Sequence, residues 1–371
     1  MRLKTEFALA IQVLTPVHIG TGHVLEQDFD FVVHEGQTLR IHEERFVEWV
    51  ATRGEAFARL SQGVPPGQLL EPVLSSRLDL FRYVLPGVPK GTREIRECLK
   101  DAQDRPYLPG SALKGALRTV LLWRVWREKG FRLADVRVER APKFAAQPLE
   151  RKAFGETPHE DLLRALRLAD SLPASEGALT LANVRCVSRS AQEGIPLALE
   201  VIKPNTFFRM EGHIDETAFK PWGGWTVKRN KNPFLAEEKR AWLRWDGIAQ
   251  AARDKAKKRL ERDLAWANAA GLDPKPWNDL LLLIRRAESG ELKGFPLQIG
   301  FGTGWLGTTL GPALLEDPDF RRFYENYGLG KNPRTRRQTP LERFPASRRV
   351  VCYDTTCQPL GWIWVIPREE A

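Results

Sequence analysis

The 371-residue chain is poor in several things, and each shortage excludes something. It has four cysteines, Cys98, Cys186, Cys352 and Cys357, too few for a disulfide framework in a chain of this length. A reducing compartment is therefore the default expectation. Cys352 and Cys357 have no second Cys/His pair at ligand spacing, so zinc is not expected. No stretch approaches the roughly 18 uninterrupted apolar residues of a membrane span. Met1 to Ala10 lacks the charged-then-apolar pattern of a secretory leader, which points to the cytoplasm. There is no G-x-S-x-G element, no H-E-x-x-H helix and no G-K-[ST] phosphate loop, so the commonest hydrolase, zinc-protease and nucleotide-binding signatures are missing. Low-complexity tracts and short-period repeats are absent as well. Neither cofactor nor metal is expected.

Positive charge is abundant and local. Lys plus Arg is 57 against 47 Asp plus Glu, a formal net charge of +10. Ser111 to Lys152 holds 11 basic and 4 acidic residues, and Lys331 to Arg349 holds 7 basic and 1 acidic. These two segments carry +7 and +6, so the remainder nets −3. Clustering of this kind suits a polyanion such as nucleic acid, although a generally basic protein also produces it.

Hydrophobic patterning gives an α+β fold with antiparallel sheets. Glu6 to Leu14 reads as a first strand, closed by Thr15-Pro16 and followed by a glycine-bearing loop, Val17 to His23. Phe29–Val33 and Thr38–Ile41 read as a hairpin around Glu35-Gly36. Glu43 to Ala58 reads as a helix, and Gln62–Pro72 as a Pro/Gly-rich loop. A second helix runs from Ala112 to about Glu128, with Ser111 as its N-cap. Ala178–Ser188 and Leu197–Met210 are strand-like. Phe234 to Ala269 is a long helical stretch with basic faces (Arg253, Lys255, Lys257, Lys258, Arg259 and Arg262). Length predicts about two domains, 1–194 and 195–371, at roughly 150 residues each.

Four segments could carry function. In Pro109-Gly110-Ser111-Ala112-Leu113-Lys114-Gly115-Ala116-Leu117-Arg118, two cations sit in the first turns of a helix, where they oppose the helix dipole unless an anion docks. A solvated polar face is the alternative. Gly294, Gly300, Gly302, Gly304, Gly307 and Gly311 place six glycines in 18 residues. This loop fits backbone lying along an RNA strand, with Trp305 as a stacking platform, or else a structural turn with Trp305 in the core. Lys331 to Arg337, with Arg334, Arg336 and Arg337, continues to Arg348 and Arg349; arginines pair phosphates bidentately. Finally, His18 and His23, or Asp28 and Asp30, could serve in RNA cleavage, although structural roles are the favoured reading for both pairs.

Taken together, these motifs resemble the RAMP superfamily of CRISPR proteins. Leu14-Thr15-Pro16-Val17-His18-Ile19-Gly20-Thr21-Gly22 is similar to its N-terminal signature, and Leu108 to Arg118 to its second. Gln298 to Trp305 is similar to its C-terminal glycine-rich loop. Phe344-Pro345 through Arg348-Arg349, then Pro359-Leu360-Gly361-Trp362, resembles the closing segment of the subunit at the crRNA 3′ end of type III-A (Csm) complexes. The resemblance implies tandem ferredoxin-like (RRM-like) domains and a long helical insertion. It also implies binding to single-stranded crRNA, with target RNA met indirectly. Implied partners are the adjoining backbone RAMP subunit and a small helical subunit. Implied RNA contacts are His18, Gly20, Gly22, Ser111, Lys114, Gly115, Arg118, Gly300, Gly302, Gly304, Trp305, Arg334, Arg336, Arg337, Arg348 and Arg349. Target-cutting relatives use an early loop aspartate, but Leu25-Glu26-Gln27 beside Asp28 and Asp30 does not resemble that loop, so catalysis is not expected. An RNase and a protein-only scaffold remain the competing readings.

Overall fold

The computed structural model describes residues 3–135, 141, 144–188, 194–219, 235, 237–332, 336–353 and 356–369. In chain order the strands are β1 (Lys4–Val13), β2 (Gly20–Glu26), β3 (Phe31–His34), β4 (Gln37–Ile41), β5 (Phe81–Pro86), β6 (Glu94–Cys98), β7 (Leu166–Leu168), β8 (Leu179–Ser188), β9 (Leu197–Ile202), β10 (Phe207–Asp215), β11 (Phe295–Gln298), β12 (Ser347–Tyr353), β13 (Thr356–Pro359) and β14 (Trp362–Glu369). The helices that position the site are α1 (Glu43–Ala51), α2 (Gly54–Ser61), α3 (Pro66–Leu70), α4 (Gly110–Glu128), α5 (Gln147–Phe154), α6 (Trp245–Ala269) and α7 (Lys275–Glu288).

The first sheet runs β11-β14-β1-β10-β7 and is antiparallel throughout. On β1, Phe7, Leu9, Ile11 and Val13 alternate into one core with the apolar faces of α4 and α6. Phe7 meets Trp245 of α6 edge-on, with ring centroids 4.9 Å apart. Following the chain, β1-α4-β7-β10-α6-β14 is a split βαβ pair, and those four strands lie in space as β14-β1-β10-β7. This is a ferredoxin-like unit, with β11 added beyond β14.

Long insertions into that unit build the rest. The second sheet runs β13-β12-β8-β9-β6-β2, antiparallel except for the parallel β6–β9 pair. The third, β3-β4-β5, is covered by α1 to α3 through Val32, Leu39, Phe46, Trp49 and Leu70. The boundary expected at 194/195 falls between β8 and β9, which are antiparallel neighbours, and β1 lies between β10 and β14. Both larger sheets thus draw strands from either side of that cut, a non-local pairing that spacing along the chain does not reveal.

Several local expectations need correcting. Val17 to His23 is not all loop, because β2 begins at Gly20 and pairs with β6. Glu43 to Ala58 breaks at Thr52-Arg53 into α1 and α2. The Gln62–Pro72 stretch contains the short helix α3. Leu197–Met210 splits into β9 and β10 at Asn205, which follows Pro204 and takes a φ of 64°. The long helix starts at Trp245 rather than Phe234; a 3-10 turn, Glu237–Leu243, precedes it. Ser111 does not cap α4: Pro109 is already extended, the helix begins at Gly110, and the Gly110 N–H donates to Asp170 Oδ1 at 2.8 Å. Cys352 and Cys357, facing each other across the β12–β13 hairpin, are joined as a disulfide.

Candidate nucleic-acid interface

Three of the sequence motifs are laced together by backbone hydrogen bonds into one junction. Trp362 O accepts from the N–H groups of Leu14 and Thr15, and Thr15 Oγ1 accepts from Trp362 N at 3.0 Å. Gly361 N donates to Pro16 O, Ile299 N to Gly361 O, and Phe301 N to His18 O at 2.8 Å. Gly300 is required here: its φ is +72°, and a Cβ would stand 2.3 Å from His18 O. Gly302 and Gly304 continue the loop in the same left-handed region. The N-terminal signature, the glycine-rich loop and the closing segment are thus one structural object.

At this junction Phe301 packs half-buried on the second sheet, against the cluster of Val184, Leu199, Val351 and Leu360. Two exposed guanidiniums lie over its ring. Arg349 from β12 lies 4.8 Å from the ring centroid and Arg96 from β6 lies 5.5 Å from it. Beneath, His18 is 3% exposed and meets Phe301 edge-on at 5.9 Å. Burial lowers the His18 imidazole from its ordinary value, and Arg96 and Lys100 push the same way against the raising hydrogen bond to Glu200. An aromatic ring beside two arginines, over a neutral histidine, can take a base by stacking and a phosphate by bidentate pairing.

A buried network holds the platform from below. Glu200 on β9 accepts from Tyr83 OH at 2.7 Å, from Cys98 N at 2.9 Å and from Lys100 Nζ at 2.5 Å, while its backbone oxygen takes the His18 Nδ1 proton at 2.7 Å. One residue thereby ties the third sheet, β6 and the histidine. A second network sits under the glycine-rich loop. Asp263 of α6 pairs with Arg259 at 3.0 Å and Arg348 at 2.7 Å, and Arg259 Nη1 donates to Thr303 O at 2.7 Å.

The remaining sequence candidates fall elsewhere. Ser111 and Gly115 are exposed on α4. Lys114 donates to Leu166 O at 2.8 Å, and Arg118 is held by Glu150 and Asp161. That end of α4 opens on a cleft of about 450 Å³ whose cations are offset by Glu150, Glu156 and Asp161. Arg348 is committed to Asp263 and to the Pro345 carbonyl. Trp305 is no open platform: its ring packs against Phe344 at 4.8 Å and Phe320 at 5.7 Å. Arg336 and Arg337 are exposed, and Arg334 lies outside the described residues. Gly22 and His23 are exposed on β2, and no hydrogen bond or ring contact joins His23 to His18. Asp28 pairs with Arg93 at 2.6 Å, and Asp30 accepts from Glu26 N at 2.8 Å. Among the described residues no group of three His, Cys, Asp or Glu is arranged to hold a metal ion.

Two cations assigned from sequence to solvated faces of the long helix are buried instead. Lys255 and Arg259 are 8% and 4% exposed, because α6 packs against α4, α7 and β11. Burial, with Arg259 beside it, pushes the Lys255 ammonium down to about 7. Between that value and the ordinary 10.5, the unfolded chain binds a proton the folded chain does not, so this group makes stability rise with pH across that window. Lys255→Met is expected to be more stable than the wild type at pH 7 by about 1–4 kcal/mol. In urea titrations the gap should narrow as pH approaches 10; a pH-independent gap would refute the assignment.

Sequence reasoning missed Arg96 and Phe301. Phe301 stood inside the quoted glycine motif but was overshadowed by the larger Trp305. Arg96 lay in a stretch to which the sequence assigned no element, and only the pairing of β6 with β9 brings it to the junction.

A split βαβ sheet, with the loops after β1 and β11 and before β14 laced together at one end, defines the class as a ferredoxin-like α+β protein. The sequence model of the RAMP superfamily matches residues 10–306, and the chain belongs to that superfamily. Within it, the chain is similar to "CRISPR system Cms protein Csm5" of Methanocaldococcus jannaschii, 25% identical over 270 residues, covering 69% of this chain and 62% of the relative. It is also similar to the protein of the same name from Streptococcus thermophilus, 30% identical over 230 residues, covering 55% of this chain and 63% of the relative. The matches thus span less than two thirds of these relatives' own length. The fold is shared with a chain of a type III-A Csm–crRNA–target RNA ternary complex (TM-score 0.69, 23% identity, 97% of this chain and 100% of that one). It is shared equally with T. onnurineus Csm5 (TM-score 0.67, 23% identity, 96% and 99%). No described helix is long and apolar enough to cross a membrane.

Proposed function

We propose that this chain is a non-catalytic RNA-binding subunit of a type III-A CRISPR effector complex that binds and caps the 3′ end of the crRNA. It supports guide maturation and assembly with an adjacent backbone RAMP subunit and a small helical subunit, and meets target RNA only through the guide. The observation that carries this reading is the Arg96–Phe301–Arg349 platform at the junction of three superfamily motifs. The relatives' names and the complex in which a same-fold chain sits point the same way. A non-catalytic role is supported by the aspartate alternative, since Asp28 is paired with Arg93 and Asp30 accepts from the Glu26 N–H.

Each phosphate-neutralising cation contributes about 0.7 to the slope of log affinity against log salt for a single strand. Arg96→Ala/Arg349→Ala is therefore expected to flatten that slope by about 1.4 and to weaken binding about ten- to a hundredfold near 0.1 M salt. Fluorescence anisotropy of a labelled single-stranded RNA measures both. An unchanged slope would remove the platform from RNA contact.

A further inference from the structure

His18 presents a feature that phosphate binding and stacking leave unused. Its Nδ1 lies 2.7 Å from the Glu200 carbonyl oxygen, which can only accept, so Nδ1 carries the proton and Nε2 carries a lone pair. Burial keeps the ring neutral. Nε2 has no hydrogen-bond partner among the described residues. Among the described residues the buried side-chain atoms without partners are Arg40 Nε, Trp49 Nε1, Trp266 Nε1, Gln298 Oε1 and Trp362 Nε1, and His18 Nε2 is not one of them. The approach to it is kept clear by Gly20, where a Cβ would come within 2.8 Å of Nε2. The surroundings are donor-rich, with the Arg96 and Arg349 guanidiniums 5.5 Å and 4.8 Å from the Phe301 ring centroid. A fixed, neutral acceptor set among cations selects a neutral donor on the ligand. On a nucleic-acid backbone the donor is the ribose 2′-hydroxyl, and it distinguishes RNA from DNA.

We infer that His18 Nε2 accepts a hydrogen bond from a ribose 2′-hydroxyl of the strand held on the Arg96–Phe301–Arg349 platform, making His18 the residue by which this site prefers RNA to DNA. The inference rests on the proposed RNA role and adds the group that is read. An exocyclic base amine offers the same donor chemistry, so the test uses strands of uridine, which has none.

The experiment measures binding of the full chain to oligouridylate, to the same strand in 2′-fluoro form and to oligodeoxyuridylate. The 2′-fluoro sugar keeps the RNA-like pucker but has no hydroxyl to donate. The wild type should bind oligouridylate about five- to tenfold more tightly than either analogue. His18→Asn keeps an amide N–H for the Glu200 carbonyl and removes the distal acceptor, so it should bring the three affinities together. Arg96→Ala should weaken all three alike. Equal wild-type affinities, or a preference that survives in a folded His18→Asn, would overturn the inference while leaving the RNA role standing. If His18→Asn does not fold, the wild-type comparison of ribo and 2′-fluoro strands decides alone. Failure to bind any strand would overturn the RNA role and this inference with it.

Discussion

Glu200→Ala is expected to cost about 3–5 kcal/mol of stability, the usual result of removing one partner from a buried ion pair. Lys100 and Glu200 have side chains only 4% and 1% exposed, so the variant leaves an ammonium in the interior with Glu97, 3.4 Å away, as its remaining carboxylate. It also deprives the Tyr83 hydroxyl and the Cys98 N–H of their acceptor. Burial and the Glu200 carboxylate push the Tyr83 phenol far up, so this hydroxyl remains a donor that needs a partner. Urea unfolding followed by circular dichroism measures the loss. Glu200→Leu combined with Lys100→Met should recover much of it, because an apolar replacement of the whole pair removes the orphaned charge. A loss below about 1 kcal/mol for Glu200→Ala would contradict the network described here.

Asp263→Ala should be comparably damaging, at about 3–5 kcal/mol. It leaves Arg259 and Arg348, with side chains 5% and 12% exposed, without their shared counter-charge. The consequence extends to the glycine-rich loop, since Arg259 also donates to Thr303 O, and to β12, which carries Arg349 next to Arg348. Burial alone would raise the Asp263 carboxyl, but Arg259 and Arg348 outweigh it and hold it below the usual carboxylate range. A carboxyl depressed in the folded state stabilises above its unfolded value, about 3.9, and that contribution is lost as pH falls through the folded value. The wild type should therefore lose stability steeply below about pH 4, and Asp263→Ala should show a shallower acid limb. Equal acid limbs in the two proteins would show that Asp263 is not a linked group.

Much of the fold was legible locally. The alternation of Phe7, Leu9 and Ile11 announced β1, and the apolar spacing of Leu113, Leu117 and Leu121 announced α4. The glycine motifs marked the site because only glycine tolerates the φ of Gly300 so close to the His18 carbonyl. What was illegible is what depends on partners distant in sequence. Nothing around Arg96 says that it will share a ring with Arg349, 253 positions away. Lys255 and Arg259 read as solvated because a lysine and an arginine on a helix usually are; their burial follows from α7 and β11 closing over α6. Nor does the basic excess of Ser111 to Lys152 show that Lys114, Arg118 and Arg124 hydrogen-bond internal carbonyls and carboxylates.

The proposed role requires this chain to hold single-stranded RNA without cutting it. The most direct measurement is one incubation of the purified chain with labelled repeat–spacer RNA and Mg²⁺, read on a native and a denaturing gel at two salt concentrations. The expected result is a shifted band that fades as salt rises, with full-length RNA on the denaturing gel. Discrete cleavage products that persist through further purification and vanish on substituting His18, His23, Asp28 or Asp30 would contradict it.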